Sequence, residues 1–255
     1  MGAHLTSLDS CKLLQEDPDL GDDLPSDRRQ QATEELVTSC LRLGPGAWKL
    51  PDPDPDPGSI GLLVLEGVLL RHVEIDGRFG LELLGESDIV RPWQGADAPM
   101  LDLRSEWSVL SPARLAWLDS RSARVLARYP EITNRLFERL VRRSRHLVTN
   151  MAIVHQPRVD TRLHLLLWHL AGRWGRVRRD GVVLPLKLTH ALLADLVAAR
   201  RPTVTSALSD LARRGLVRQT DEGWMLFGQT PALGDGEPVA PPPPHRLAYA
   251  NGLRP

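Results

Sequence analysis

The residues best suited to chemistry are gathered in one short stretch. Arg200-Arg201-Pro202-Thr203 runs into Thr205 and Ser206, with Thr189 and His190 upstream and Arg213, Arg214 and Arg218 downstream. An arginine at the start of a helix can donate two parallel hydrogen bonds to guanine O6 and N7, a contact worth about 1–3 kcal/mol of base discrimination. Thr189, His190 and Thr203 are suited to phosphate oxygens, which position a protein on a duplex without reading its sequence. The remaining arginines add the salt-dependent attraction to a polyanion. The combination points to DNA; a solvated basic face or a protein-contacting surface is the plainer alternative.

Other chemistries find little support. The chain contains no G-x-S-x-G, P-loop or G-x-G-x-x-G run. His146, His155, His164 and His169 lack metal-ligand spacing, and Glu82 and Glu86 make no acid–base pair. His72 is the only histidine between Leu5 and Pro130, which disfavours a metal-dependent barrel enzyme of the cupin type. In PDPDPDP (51–57) the alternating prolines remove N–H donors and fix φ, so an extended surface loop is expected before a metal site. Neither enzymatic activity nor a metal or cofactor is expected. Cys11 and Cys40 are the only cysteines, with no C-x-x-C, so a disulfide framework and a cysteine-rich metal site are excluded and a reducing compartment is implied. No basic-then-apolar leader and no apolar run of ~18 residues is found, so a cytoplasmic protein without membrane contact is expected.

The elements that must position the arginines are legible around them. Thr189 is a good N-cap, and Leu192, Leu193, Leu196 and Val197 recur at helical spacing. Ala198-Ala199 are small enough for two helices to cross closely. Pro202 suits the first turn of a second helix, whose buried side would carry Val204, Ala207, Leu208 and Leu211. Gly215 suits a left-handed C-cap. Leu216-Val217-Arg218 and Trp224 to Phe227 then read as a two-stranded wing. The whole predicts a winged helix-turn-helix.

Zero net charge conceals an asymmetry, since residues 1–100 hold 19 Asp+Glu against 8 Lys+Arg, and residues 101–255 hold 13 against 24. The helix-turn-helix lies in the basic part, and the acidic part is expected to do something other than touch nucleic acid. The fold class is read as α+β. Residues 1–35 form an acidic, flexible extension, and 36–129 a jelly roll. In it LLVLEGVLLRHVEI and RFGLELL flank Asp76-Gly77, and WSVLSPARLAWLD gives two further strands. Trp93, Trp107 and Trp117 are read as core packing, with the lining of a barrel pocket for an apolar ligand as the alternative. Residues 130–156 form one helix on which Leu136, Leu140, Leu147, Met151 and Val154 approximate a coiled-coil seam, read either as a homodimer interface or as the face of a helix packed on its own barrel. Pro157 breaks it, 157–228 form the winged helix domain, and the proline-rich tail 229–255 is expected to be disordered.

This order resembles the Crp/Fnr family of bacterial transcription regulators over roughly residues 40–228. The most specific part is LTHALLADLVAARRPTVTSAL, similar to the family's helix-turn-helix; LLVLEGVLLRHVEIDGRFGLELLGESDIV is similar to its barrel strands. The resemblance implies a homodimer on a pseudo-palindromic site in double-stranded DNA, with RNA polymerase as a further partner. It places Arg201 at the guanine-contacting position and Thr203 at a backbone phosphate. Pro202 replaces a base-reading glutamate and Ser206 a second base-reading arginine, which implies a different operator. It aligns Arg104 and Ser105 with the residues that hold a cyclic phosphate. Glu106 follows them in place of alanine, and the Gly-Glu that binds ribose is missing after Ile89, so the effector pocket is degenerate and cyclic nucleotide is not expected. A ligand-sensing or scaffold protein, whose winged helix makes only nonspecific DNA or protein contacts, is the alternative.

Overall fold

The computed structural model of the chain describes residues 5–49, 56, 58–93 and 103–230. The proline-rich tail beyond residue 230, and the PDPDPDP loop apart from Asp56, lie outside the described residues. The chain divides into two compact units, before and after residue 148.

The first unit is built on antiparallel strands β1 (Leu5–Lys12), β2 (Val37–Leu43), β3 (Gly46–Trp48), β4 (Gly61–Ile75), β5 (Arg78–Gly85), β6 (Ile89–Val90) and β7 (Arg104–Leu118). They order as β1-β2-β7-β4-β5, with β3 on β7 and β6 on β4. The α+β jelly-roll reading holds. The apolar run in β4 is buried on both faces because each face meets its own core. Leu62, Val64 and Leu69 join Leu41, Leu43, Trp48, Leu84, Val109 and Leu115 on one side. Leu63 and Leu65 join Ala116 and Leu118 on the other.

The second face is what the amino-terminal segment covers. After β1 come α1 (Leu13–Glu16), a 3-10 turn (Pro18–Gly21) and α2 (Ser26–Glu35). Leu13, Leu14, Leu20, Leu24, Ala32 and Leu36 pack into the second core together with Leu126, Ile132 and Leu136. The expected flexible extension over 1–35 is therefore corrected, because β1 pairs with β2 from Leu5 to Lys12 and the leucines seal apolar surface that the sheet would otherwise expose. Cys11 and Cys40 are bonded to each other, a single bridge that the exclusion of a disulfide framework did not anticipate.

One further difference concerns WSVLSPARLAWLD, which lies in a single strand rather than two. Pro112 is accommodated at an irregularity in the β4–β7 pairing near Val64 to Leu69. There Gly67 adopts φ +88°, and a Cβ on it would meet the Pro112 carbonyl oxygen at 2.3 Å.

Two helices follow, α3 (Ser120–Leu126), capped by Asp119 accepting from the Ser122 N–H at 2.7 Å, and α4 (Pro130–Val154). Asp56 also accepts from the Ser120 N–H. The arginines of α4 meet the acidic segment in a ladder. Arg139 clasps Asp17 through both carboxylate oxygens, Nη2 to Oδ1 at 2.8 Å, and Arg135 reaches Asp23. Glu131 takes Arg28, while Glu35 accepts from the Tyr129 hydroxyl at 2.8 Å. Nearer the sheet, Glu16 meets Arg114 at 2.7 Å, and that hydrogen bond holds the Glu16 carboxyl below its ordinary range. Two carboxylates of the acidic amino-terminal segment, Asp17 and Asp23, are thus counter-charges for α4 of the same chain.

The second unit contains α5 (Val159–Trp174), β8 (Arg176–Arg178), β9 (Gly181–Leu184), α6 (His190–Leu196), α7 (Arg201–Arg213), β10 (Val217–Thr220) and β11 (Gly223–Leu226). The hairpin β8–β9 and the wing β10–β11 form one four-stranded sheet, in the order β10-β11-β9-β8. Among the described residues no helix is long and apolar enough to cross a membrane.

Candidate nucleic-acid interface

Local rules place α6 and α7. The Thr189 hydroxyl accepts from the Leu192 N–H at 3.2 Å, closing the first turn of α6 as an N-cap does. That helix ends when Ala198 turns left-handed, at φ +50°, while Ala199 N–H reaches the Ala194 carbonyl at 2.9 Å. The small size of Ala198 thus serves the corner itself, where glycine is the usual occupant. Pro202 falls in the first turn of α7, where no N–H is needed. At the far end Gly215 takes φ +71°, with Gly215 N–H to Ala212 and Leu216 N–H to Leu211, a Schellman closure.

Val204, Leu208 and Leu211 anchor α7 in the domain core, which leaves its opposite face open. On that face Arg200, Arg201, Thr203, Thr205, Ser206 and Arg213 are all exposed, as are Thr189 at the start of α6 and Arg218 on the wing. His190 is half-buried; its Nδ1 lies 3.0 Å from the Thr205 hydroxyl and its ring 6.4 Å from that of Trp224. Trp224 in turn donates from its indole N–H to the Leu188 carbonyl, so a buried aromatic positions the start of α6 against α7. The Thr205 and Ser206 hydroxyls donate back to the Arg201 and Pro202 carbonyls, at 3.1 and 3.2 Å.

The arginines differ in their freedom. The Arg200 and Arg201 guanidinium groups have no carboxylate partner among the described residues. Arg213 pairs with Asp210, and Arg214 lies 3.6 Å from Asp160 and 3.7 Å from Asp210. Arg218 stacks over Phe227 at 5.2 Å. Behind this surface, Trp168 donates its indole N–H to His164 Nε2 at 3.1 Å. Burial, and after it the Arg214 charge, holds the His164 imidazole below its ordinary value. Ser209, exposed one turn beyond Thr205, completes the open face; its spacing of four from Thr205 was the available signal. Arg176, Arg178 and Arg179, exposed on the early hairpin, are further basic groups that lay outside the predicted set.

In the first unit the predicted seam on α4 needs one correction. Leu136 is only 4% exposed and packs into the second core, whereas its neighbour Phe137 is 62% exposed. The open stripe runs Phe137, Leu140, Ser144, Leu147 and Met151, at steps of three and four, with Val148 beside it. Val154 is half-buried. The sequence reading followed the leucines and so missed the phenylalanine. Arg143, which interrupts the seam in sequence, faces away from it. It holds Glu82 with two hydrogen bonds, at 2.7 and 2.9 Å, and donates to the Ile89 carbonyl.

Arg104 and Ser105 stand at the outer end of β7. Arg104 is opposite Glu74 in register and shares with Glu74, Asp76 and Gly77 a hollow of about 200 Å³. Ser105 accepts from Arg71 at 3.4 Å, and Arg71 lies over the Trp107 ring. The interior beside them is filled, with Trp48 and Trp107 in an edge-to-face pair 6.2 Å apart and Trp93 stacked on Trp117.

Comparison with known proteins agrees with this geometry. Residues 161–229 match the Crp-like helix-turn-helix domain. The chain is 29% identical over 188 residues to the CRP-like cAMP-activated global transcriptional regulator of Mycobacterium tuberculosis, an alignment covering 72% of this chain and 80% of that protein. Its fold is similar to a mutant of CooA from Carboxydothermus hydrogenoformans, with TM-score 0.58 and 16% identity over 88% of this chain and 93% of that one. It is also similar to a cyclic nucleotide-binding domain containing protein from Listeria monocytogenes, with TM-score 0.59 and 16% identity over 73% and 87%.

Proposed function

We propose that the chain is a transcription regulator of the Crp/Fnr type that works as a cytoplasmic homodimer on a pseudo-palindromic DNA site; its Crp-like helix-turn-helix match and its CRP-like relative support this reading. One α7 per protomer enters the major groove, with half-sites one helical turn apart. Arg201 reads guanine, with Thr205 and Ser206 beside it on base edges. Thr189, His190, Arg200 and Thr203 engage phosphates, and Arg213 and Arg218 strengthen binding to any sequence. The two protomers meet along Phe137, Leu140, Leu147, Val148 and Met151 of α4. RNA polymerase is the expected downstream partner.

The observation that carries this reading is the pair of exposed guanidinium groups with no carboxylate partner among the described residues, at the start of a helix whose other face is buried. Binding to defined duplexes at rising salt tests it. A sequence-specific complex that survives moderate salt is the expected result. Binding that is equally weak on every sequence and lost with salt would make the winged helix a nonspecific contact surface.

The hollow at Arg104 argues against a cyclic phosphate. Glu74 and Asp76 line it, so an anion would enter beside two carboxylates, and Glu106 follows within two residues. Calorimetry is expected to show no cyclic-AMP binding in the micromolar range. Micromolar binding abolished by Arg104→Ala would restore a nucleotide effector.

A further inference from the structure

We propose that Cys11 and Cys40 form a thiol–disulfide exchange site, whose reaction partner is a dithiol, and that its state sets how firmly residues 13–36 hold α4. The two sulfurs are bonded across the β1–β2 pair on a diagonal, Cys11 facing Thr38 and Cys40 facing Asp9. Their separation of 29 residues encloses α1, the 3-10 turn and α2, the whole segment that covers the second core and ion-pairs with α4. The bond therefore closes the root of that clamp. Both cysteines lie in the same core as Leu13, Leu14, Leu36 and Leu136 of α4, so their covalent state is felt where the clamp seats.

The direction of the effect follows from chain entropy. For opening that unpairs β1 from β2, a crosslink at the root of a loop of this length restricts the open state far more than the closed one, disfavouring it by a factor on the order of a hundred. The ion pairs of Asp17 with Arg139 and Asp23 with Arg135, and the packing of the segment's leucines, persist in the reduced protein, but without the covalent closure at the root. Paired cysteines inside a reducing compartment are more often redox-responsive than structural.

The exchange balances as follows. A thiolate of the dithiol attacks Sγ of Cys11, on the edge strand and 9% exposed against 1% for Cys40. The protein disulfide breaks, a mixed disulfide forms on Cys11, and Cys40 departs as a thiolate that takes up a proton. The second thiol of the reductant displaces Cys11, whose thiolate is protonated in turn. Two electrons and two protons pass to the protein, and the dithiol ends as a disulfide.

Hydrogen–deuterium exchange on the full chain, before and after dithiothreitol, is the test, with thiols counted by maleimide mass labelling. The oxidised protein is expected to hold no free thiol and the reduced protein two. Amides in 13–36 should exchange roughly ten- to a hundredfold faster on reduction, with 190–226 unchanged. A Cys11→Ser/Cys40→Ser variant should show the fast pattern whether or not reductant is present; if that variant does not fold, the wild-type comparison decides alone. Free thiols persisting in oxidised glutathione, equal exchange of 13–36 in the two states, or acceleration shared by 190–226 would each overturn the proposal. A chain that binds no DNA in either state would sink the regulator reading without touching this one.

Discussion

Two sets of arginines in this molecule are chemically alike and have opposite fates. On α4, Arg135, Arg139 and Arg143 are each met by a carboxylate of the same chain, from Asp23, Asp17 and Glu82. At the start of α7, Arg200 and Arg201 are exposed and meet none among the described residues. A guanidinium group whose counter-charge is built into the fold holds elements together; one whose counter-charge is missing is available to an external anion. The contrast marks the candidate nucleic-acid face more sharply than net charge does, because the basic half of the chain includes both kinds.

The contrast can be broken at its inner end first. Asp17→Asn would leave Arg139, only 6% exposed, without its carboxylate, and the first unit should lose about 3–5 kcal/mol in denaturant unfolding. A loss under 1 kcal/mol would reduce the clamp to an ordinary surface pair. Next comes the apolar stripe that shares α4 with the inner arginine set. Phe137→Glu should weaken self-association by about 2 kcal/mol or more in sedimentation, roughly thirtyfold in Kd, with protomer stability unchanged. Leu136→Glu, by contrast, should unfold the first unit, and the reverse pattern would show the wrong face of α4 to have been assigned.

At the outer end, Arg201→Ala should cost about 1–3 kcal/mol of discrimination at one base step per half-site in a competition assay. Arg213→Ala should weaken all sequences alike, and by less, because Asp210 already partners it. Equal losses on every sequence from both changes would remove Arg201 from base reading. The smallest effect tests the corner that aims the helix. Ala198→Gly should raise the thermal stability of the second unit by about 1 kcal/mol, since glycine adopts the left-handed backbone without a Cβ penalty. Destabilisation there would mean that the methyl group is needed for packing.

The second unit was legible because its determinants are local. The Thr189 cap reaches three residues, Gly215 closes the helix it follows, and Val204, Leu208 and Leu211 repeat within one element. The first unit was legible only in its strands. Asp17, Asp19, Asp22 and Asp23 read as a solvated acidic tract because the partners of Asp17 and Asp23 lie 122 and 112 residues further on. The same distance conceals which side of α4 is open, since Leu136 and Phe137 are equally apolar and only the packed core separates them. Pairing of Cys11 with Cys40 likewise depends on β1 joining β2, and no cysteine spacing announces it.

The 122 residues between Asp17 and Arg139 also impose an order on biogenesis. At translation rates of about 5–20 residues per second, the amino-terminal leucines leave the ribosome roughly 6–25 seconds before the helix they are to grip has been made. During that interval Leu13, Leu14, Leu20 and Leu24 have only part of their final core to cover. The nascent chain must remain soluble on its aspartates, which keep the same segment hydrated until the arginines arrive to neutralise it.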